Sequence, residues 1–137
     1  MSVDQESSAT ETRGGQSLLH GALTGEIIGA FFEVYNDLRW GFLEAVYARA
    51  MAIELRERQI SFQREARLDV RYKGQLAGIY RPDFLVEERV VLELKATAVI
   101  GPADKRQLLN YLRVTDMPLG LLLHFGPEPR VLRVIYT

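Results

Sequence analysis

Apolar residues recur along this chain with two different periods, and the switches between them mark out its elements. Ile27, Ile28, Phe31, Val34, Tyr35 and Leu38 follow the i, i+3, i+4 spacing of an amphipathic helix, with Thr24 placed to cap it. Trp40-Gly41 breaks the pattern. A second helix is expected over 42–58, burying Leu43, Val46, Ala50 and Ile53 and turning Glu54, Arg56, Glu57 and Arg58 to water. The period then becomes two: Leu68, Val70 and Tyr72 alternate with Arg67, Asp69 and Arg71, as in a half-buried strand, and Lys73-Gly74 turns the chain into 75–80. Pro102 suits the first position of a third helix whose apolar side is Leu108, Leu109 and Leu112. The unbroken apolar run 119–125 fits a buried parallel strand reached by a helical crossover, and a last strand follows at 131–136. Residues 1 to 17 show neither period and are rich in Ser, Thr, Gln, Glu and Gly, so a flexible tail is expected ahead of one domain, 18–137. The element order is α-α-β-β-β-α-β-β, an α/β domain.

Two apolar runs, 80–86 and 90–96, flank the charged break Glu87-Glu88-Arg89 and read as an antiparallel hairpin. Asp83 lies inside the first run, Glu93 and Lys95 inside the second. Charge within an otherwise buried strand is costly unless it is paired or bound to a metal. Side chains alternate along a strand, so Glu93 and Lys95 share one face while Leu92 and Leu94 take the other. Loop length decides where Asp83 goes. A three-residue loop, 87–89, sets Val86 against Val90, Leu85 against Val91 and Asp83 against Glu93, which collects Asp83, Glu93 and Lys95 on one face with Arg81 opposite Lys95. A two-residue turn would send Asp83 among Leu92 and Leu94. The cost of burial selects the first register, although the loop lacks the Gly or Asn that a left-handed position favours.

Two carboxylates beside a lysine outline a metal-dependent hydrolytic site. Carboxylates are hard oxygen ligands for Mg²⁺, which keeps several waters and takes few protein ligands beside a substrate phosphate. The metal acidifies a bound water and offsets transition-state charge, while lysine orients that water or stabilises phosphate oxygens. Without metal the two carboxyls repel, so at least one should have a raised pKa. The structural alternative is an ion-pair network of Asp83, Glu93, Lys95 and Arg81. Glu44, near the start of the second helix, reads by itself as a favourable charge on the helix dipole. Gln107 and Tyr111, four residues apart on the third helix, read by themselves as a polar contact at the edge of the core. His20 and His124 suggest no metal cluster.

At 137 residues the chain suits a single domain with one core. The lack of cysteine removes disulfides and thiolate zinc sites and fits a cytoplasmic setting. No apolar run approaches the ~20 residues of a membrane helix, and no signal segment or membrane partner is expected. The net charge of −1 argues against a strong general affinity for nucleic acid. Excluding residues 1–16 leaves 16 basic residues against 15 acidic ones, so the domain is nearly neutral as well. Binding of nucleic acid would then rest on a local basic patch around Arg81, Lys105 and Arg106, and would weaken steeply with salt.

From about Leu23 to Val134 the chain resembles the GxxExxY family, a branch of the PD-(D/E)XK nuclease superfamily. The matching pieces are Thr24-Gly25-Glu26-Ile27-Ile28-Gly29, Gly41 to Tyr47, Tyr72-Lys73-Gly74, Arg81 to Val86, Glu93-Leu94-Lys95-Ala96, Gln107 to Leu112 and Gly120 to Gly126. The resemblance implies a restriction-endonuclease-like core, a mixed sheet flanked by helices. It further implies Mg²⁺-dependent phosphodiester hydrolysis of nucleic acid, DNA ahead of RNA, with Mn²⁺ as an alternative metal. Asp83 and Glu93 would hold the metal with the Leu94 carbonyl, and Glu44 would join from the helix. Lys95 completes the catalytic set, and Gln107, Tyr111 and Arg81 would contact the substrate backbone. Family members often carry Glu-Val-His and Leu-Gly-Pro-Gly where this chain has Glu33-Val34-Tyr35 and Leu38-Arg39-Trp40-Gly41, and a tyrosine cannot serve as a base near neutral pH. The competing reading is a nuclease-fold module that binds nucleic acid or protein and hydrolyses little. The oligomeric state stays open, a homodimer included.

Overall fold

A mixed sheet forms the middle layer of the molecule, with helices on both faces. The computed structural model describes residues 20–137 and the backbone of residues 2–7. In chain order the elements are β1 (Ser2–Ser7), α1 (Gly21–Leu38), α2 (Glu44–Glu57), β2 (Phe62–Arg64), β3 (Leu68–Tyr72), β4 (Gln75–Tyr80), β5 (Phe84–Val86), β6 (Val90–Lys95), α3 (Pro102–Thr115), β7 (Leu119–Phe125) and β8 (Pro129–Ile135). The sheet runs β1-β8-β7-β6-β5-β2, and β3 pairs with β4 in a separate two-stranded ribbon. β6 and β7 are parallel, as the α3 crossover between them requires. β5–β6, β2–β5 and β7–β8 are antiparallel.

Strand alternation divides the core. Phe84, Leu92, Leu94, Leu121, Leu123 and Phe125 pack with Ile27 and Phe31 of α1 and Met51 and Leu55 of α2. Leu85, Val91, Leu122 and Leu132 pack instead with Leu108 and Leu112 of α3. The continuous apolar run of β7 is buried throughout, as a strand covered on both faces must be. No helix among the described residues is long and apolar enough to cross a membrane.

Several elements depart from expectation. Residues 2–7, read from composition as tail, pair as a strand parallel to β8, while 8–17 of that stretch lie outside the described residues. Thr24 does not cap α1. It lies inside the helix, and its hydroxyl donates back to the carbonyls of His20 and Gly21, both at 3.1 Å. The strand read over 80–86 is two strands, because Arg81-Pro82-Asp83 leaves the ladder and lets β4 depart into its own ribbon. The short β2 carries too little periodicity to be read from sequence.

The largest departure is the face α2 buries. Its core residues are Tyr47, Ala48, Met51, Ala52 and Leu55, whereas the expected Leu43, Val46 and Ile53 are 78%, 38% and 55% exposed. One residue is a rotation of about 100° on a helix, and the helix is turned by that much from the expected stripe. The anchor is Tyr47, fully buried, whose ring stacks on Phe125 with centroids 4.3 Å apart. Such a contact contributes roughly 1 kcal/mol beyond burial, and Leu43 had no comparable partner to offer.

Candidate active site

The hairpin β5–β6 pairs Phe84 with Leu92, Leu85 with Val91 and Val86 with Val90. The loop therefore has three residues and Asp83 falls opposite Glu93. Its tip solves the missing glycine directly: Glu87 and Glu88 both take positive φ, 50° and 55°, and the Arg89 N–H closes the turn on the Val86 carbonyl at 2.9 Å.

At the other end the ladder stops and side chains take over its hydrogen bonds. The Asp83 N–H donates to Glu93 Oε1 at 2.9 Å, and the Leu94 N–H donates to Asp83 Oδ2 at 2.7 Å. Each carboxylate is thus clasped by the backbone of the strand opposite. This fixes both side chains while committing only one oxygen of each.

Lys95 follows on the same face, its Nζ 3.8 Å from Asp104 Oδ1. Asp104 is held by its other oxygen, Oδ2, which accepts the Gly101 N–H at 2.9 Å as the third residue of α3. Pro102 does begin α3, as its fixed φ favours. Glu44 opens α2, and its carboxyl feels Asp83, Lys95 and Asp104.

The electrostatics are those of crowded, partly buried acids. Burial, then the neighbouring Asp83, pushes Glu93 up to about 8. Asp83 is also raised by burial, against the lowering pull of the Leu94 N–H and of Lys95. Burial and then Asp83 raise Glu44. The repulsion expected between the two strand carboxyls is present, with Lys95 offsetting part of it.

The motif Gly-x-x-Glu-x-x-Tyr gains a physical account. Gly41 takes φ 127°, which a side chain would strain, and this lets the chain turn between the helices. The Tyr47 hydroxyl donates to the Arg39 carbonyl and accepts the Phe42 N–H at 3.2 Å. Tyr47 therefore fixes the loop whose end sets Glu44 at the mouth of the hairpin. Trp40 ties the same loop across the site, its indole N–H reaching the Ala96 carbonyl at 3.4 Å.

On α3, Gln107 Nε2 donates to the Tyr111 hydroxyl at 2.6 Å. Tyr111 is buried, its phenol is raised first by burial and then by Glu93, and its ring meets Tyr80 edge-on at 5.4 Å. Tyr111 and Gln107 thus belong beside the carboxylates. Arg81 and Arg106 are exposed and Lys105 is half-buried, and none is among the principal charges acting on the three acids. Arg64, which the sequence reading passed over, is among them: it lowers Asp83 and lies over the Phe84 ring at 4.9 Å.

Four other side chains escaped the sequence reading of the site. Tyr47 was visible as a motif member without a role. Asp104 carried a usable signal, because an acid three residues past a Gly-Pro helix start is a capping position. His124 sits beside Lys95 in register, buried, with Nε2 2.7 Å from the Thr97 carbonyl, so it donates there and holds the loop after the lysine. Trp40 reaches the adjacent carbonyl of the same loop, that of Ala96. Tyr35 donates its phenol to the Gly126 carbonyl at 2.7 Å and is raised by burial, so it anchors α1 to the β7–β8 turn.

The donor set suits a cation that takes few protein oxygens. Asp83 and Glu93 each keep one oxygen uncommitted by the hairpin clasp. Among the described residues no three acidic or imidazole groups stand close enough to enclose a metal. Glu44 and the pair raise one another's pKa values.

Fold and site together define a restriction-endonuclease-like protein. The PD-(D/E)XK nuclease superfamily model matches residues 21–134, and the chain belongs to that superfamily, whose members are generally hydrolytic nucleases. Among solved structures, the crystal structure of SSO0001 aligns with a TM-score of 0.52 and 17% identity, over 66% of this chain and 48% of that one. The chain spans about half of that protein, and the likeness is one of fold. No curated protein gave a significant match.

Proposed function

We propose that this chain is a divalent-metal-dependent nuclease of the GxxExxY branch, hydrolysing phosphodiester bonds of nucleic acid, DNA ahead of RNA. The observation that carries the reading is the reciprocal clasp of Asp83 and Glu93, two immobilised acids with raised pKa beside Lys95. Lys95 lowers both acids, but burial is the larger influence and leaves them raised, so pairing with the lysine does not offset their cost.

Asp83 and Glu93, with the Leu94 carbonyl, would hold Mg²⁺ or Mn²⁺, and Glu44 would engage through water. When bound, such an ion offsets charge on the phosphate and acidifies a coordinated water. Lys95 is left to orient the attacking water or to stabilise the phosphate oxygens, and Asp104 restrains its swing. In the balanced reaction, water adds to phosphorus, the P–O bond to the leaving strand breaks, and the departing oxygen takes a proton. Gln107 and Tyr111 would position the backbone of the substrate, with Arg81, Arg106 and Lys105 supplying local positive charge.

A second reading has one observation in its favour: among the described residues no three acidic or imidazole groups gather to hold a metal, on a chain of net charge −1. That reading is a nuclease-fold module that binds and hydrolyses little. The experiment that decides is a cleavage assay on mixed DNA and RNA with Mg²⁺ or Mn²⁺, beside Lys95→Ala. The nuclease reading expects metal-dependent cleavage that falls by about 10²-fold or more in the variant. Equal cleavage by both proteins, or none by the parent with either metal, would overturn it.

A further inference from the structure

Apart from Tyr72, at the turn of the β3–β4 ribbon, the exposed aromatic residues lie beside the acidic site. Trp40 and Phe42 are 46% and 48% exposed and occupy the loop that leads into Glu44. Tyr80, 37% exposed, stands three residues before Asp83 and contacts Tyr111, whose phenol feels Glu93. The carboxylates therefore lie between an aromatic platform at the start of α2 and another at the end of β4. Leu43 and Val46 extend the first platform, left uncovered by the rotation of α2.

The second platform continues into a groove of about 410 Å³ between the β3–β4 ribbon and α3, lined by Val70, Tyr80, Asn110, Arg113, Val114 and Tyr136. That volume falls in the range of small-ligand sites. Its walls combine two phenol rings, a side-chain amide and a guanidinium. Among the described residues Arg113 has no carboxylate partner, so its charge is available.

We infer that an unpaired strand crosses the site, its bases stacking on Trp40 and Phe42 on one side and on Tyr80 on the other, with the next phosphate taken by Arg113. The inference rests on the nuclease reading and narrows its substrate. A duplex keeps its base faces covered by neighbouring bases and could not use these platforms, whereas every unpaired base offers a face to an aromatic ring. Stacking also resolves the charge problem. A chain of net charge −1 gains little from general electrostatic attraction to nucleic acid, and stacking needs no net positive charge.

Trp40 is the only tryptophan, so its fluorescence reports directly on the first platform. The test titrates the Lys95→Ala protein in Mg²⁺ with single-stranded oligothymidylate and with the same strand annealed to oligoadenylate. The single strand should quench Trp40 and bind at least about fivefold tighter than the duplex, one stacked base being worth about 5- to 150-fold. Adding Tyr80→Ala should weaken single-strand binding by at least about fivefold, and Tyr80→Phe should restore it. Arg113→Gln should weaken it and flatten its salt dependence. Phe42→Ala should weaken single-strand binding likewise, and the substitutions at Tyr80 and Arg113, away from the core, keep the test open if that variant fails to fold. Duplex binding as tight as single-strand binding, or cleavage of the single strand by the parent without any change in Trp40 fluorescence, would overturn the inference and leave the nuclease reading standing. A protein partner on the apolar rim predicts that second outcome. If the parent neither binds nor cuts either oligonucleotide, both readings fall together.

Discussion

The two ends of the β5–β6 hairpin obey opposite rules within a few residues of each other. Toward the tip, Phe84, Val86, Val90, Val91 and Leu92 are fully buried and make ordinary ladder pairs. At the mouth, Asp83 and Glu93 replace ladder bonds with carboxylate–backbone bonds and carry raised pKa values. One end lowers the free energy of folding. The other raises it and holds chemistry in place. A strand pair can host both because the register fixed by apolar burial at the tip dictates where the acids must stand at the mouth.

The largest effect that separates the ends is on stability. Leu92→Ala, at the apolar end, should cost about 2–5 kcal/mol. Glu93→Gln, one residue on, should cost little and should gain at alkaline pH. The sign follows from protons. Glu93 titrates at about 8 when folded and at an ordinary carboxyl value when unfolded. Through the window between, the folded state holds a proton that the unfolded state has released. Stability therefore falls as pH rises from about 4.5 toward 8, by an amount on the order of a few kcal/mol, with Asp83 adding in the same direction. Denaturant unfolding across that window measures it. A parent whose stability stays flat there, or a Glu93→Gln variant with the same alkaline loss, would show that the mouth is not strained.

The next contrast lies within the mouth and sorts ligand from neighbour. Asp83→Asn removes repulsion while its oxygen can still accept the Leu94 N–H. It should be at least as stable as the parent without metal and should lose the rise in Tm with Mg²⁺ or Mn²⁺ that binding to the folded state produces. Lys95→Ala removes the cation that offsets the acids, so it should lose about 1 kcal/mol without metal and keep the metal response. Thermal melts of the three proteins with and without metal distinguish these outcomes. Loss of metal-free stability in Asp83→Asn with an unchanged metal response would make Asp83 a structural partner only.

The same contrast explains what could be read from sequence. The hairpin register was legible because one face was densely apolar and any slip would have buried charge. The joint placement of Asp83, Glu93 and Lys95 followed from it. The face of α2 was not legible, since Leu43 and Val46 are as apolar as Met51 and Leu55. Only the seat for Tyr47 on Phe125, far away in sequence, decides the rotation. Asp104 behind Lys95 and His124 behind Thr97 were hidden for a related reason: each acts across elements that meet only in the fold. β1 had no period to read, because the backbone of β8 supplies its pairing.

The smallest effect concerns the tip itself. Glu88 sits at φ 55°, exposed, in a conformation that costs a side chain on the order of 1–2 kcal/mol and costs glycine almost nothing. Glu88→Gly relieves that strain but adds freedom to the unfolded chain, which returns most of the gain. The net should be stabilising by about 0.5 kcal/mol, or about 2 °C in Tm for a domain of this size. Glu88→Val, β-branched at positive φ, should move the opposite way by a larger amount. Because the tip sets the register and takes no part in the chemistry, cleavage by Glu88→Gly should match the parent while its melting point rises. A glycine variant that melts no higher and cuts less well would mean that the tip transmits to the mouth, and that the two ends of the hairpin are one unit.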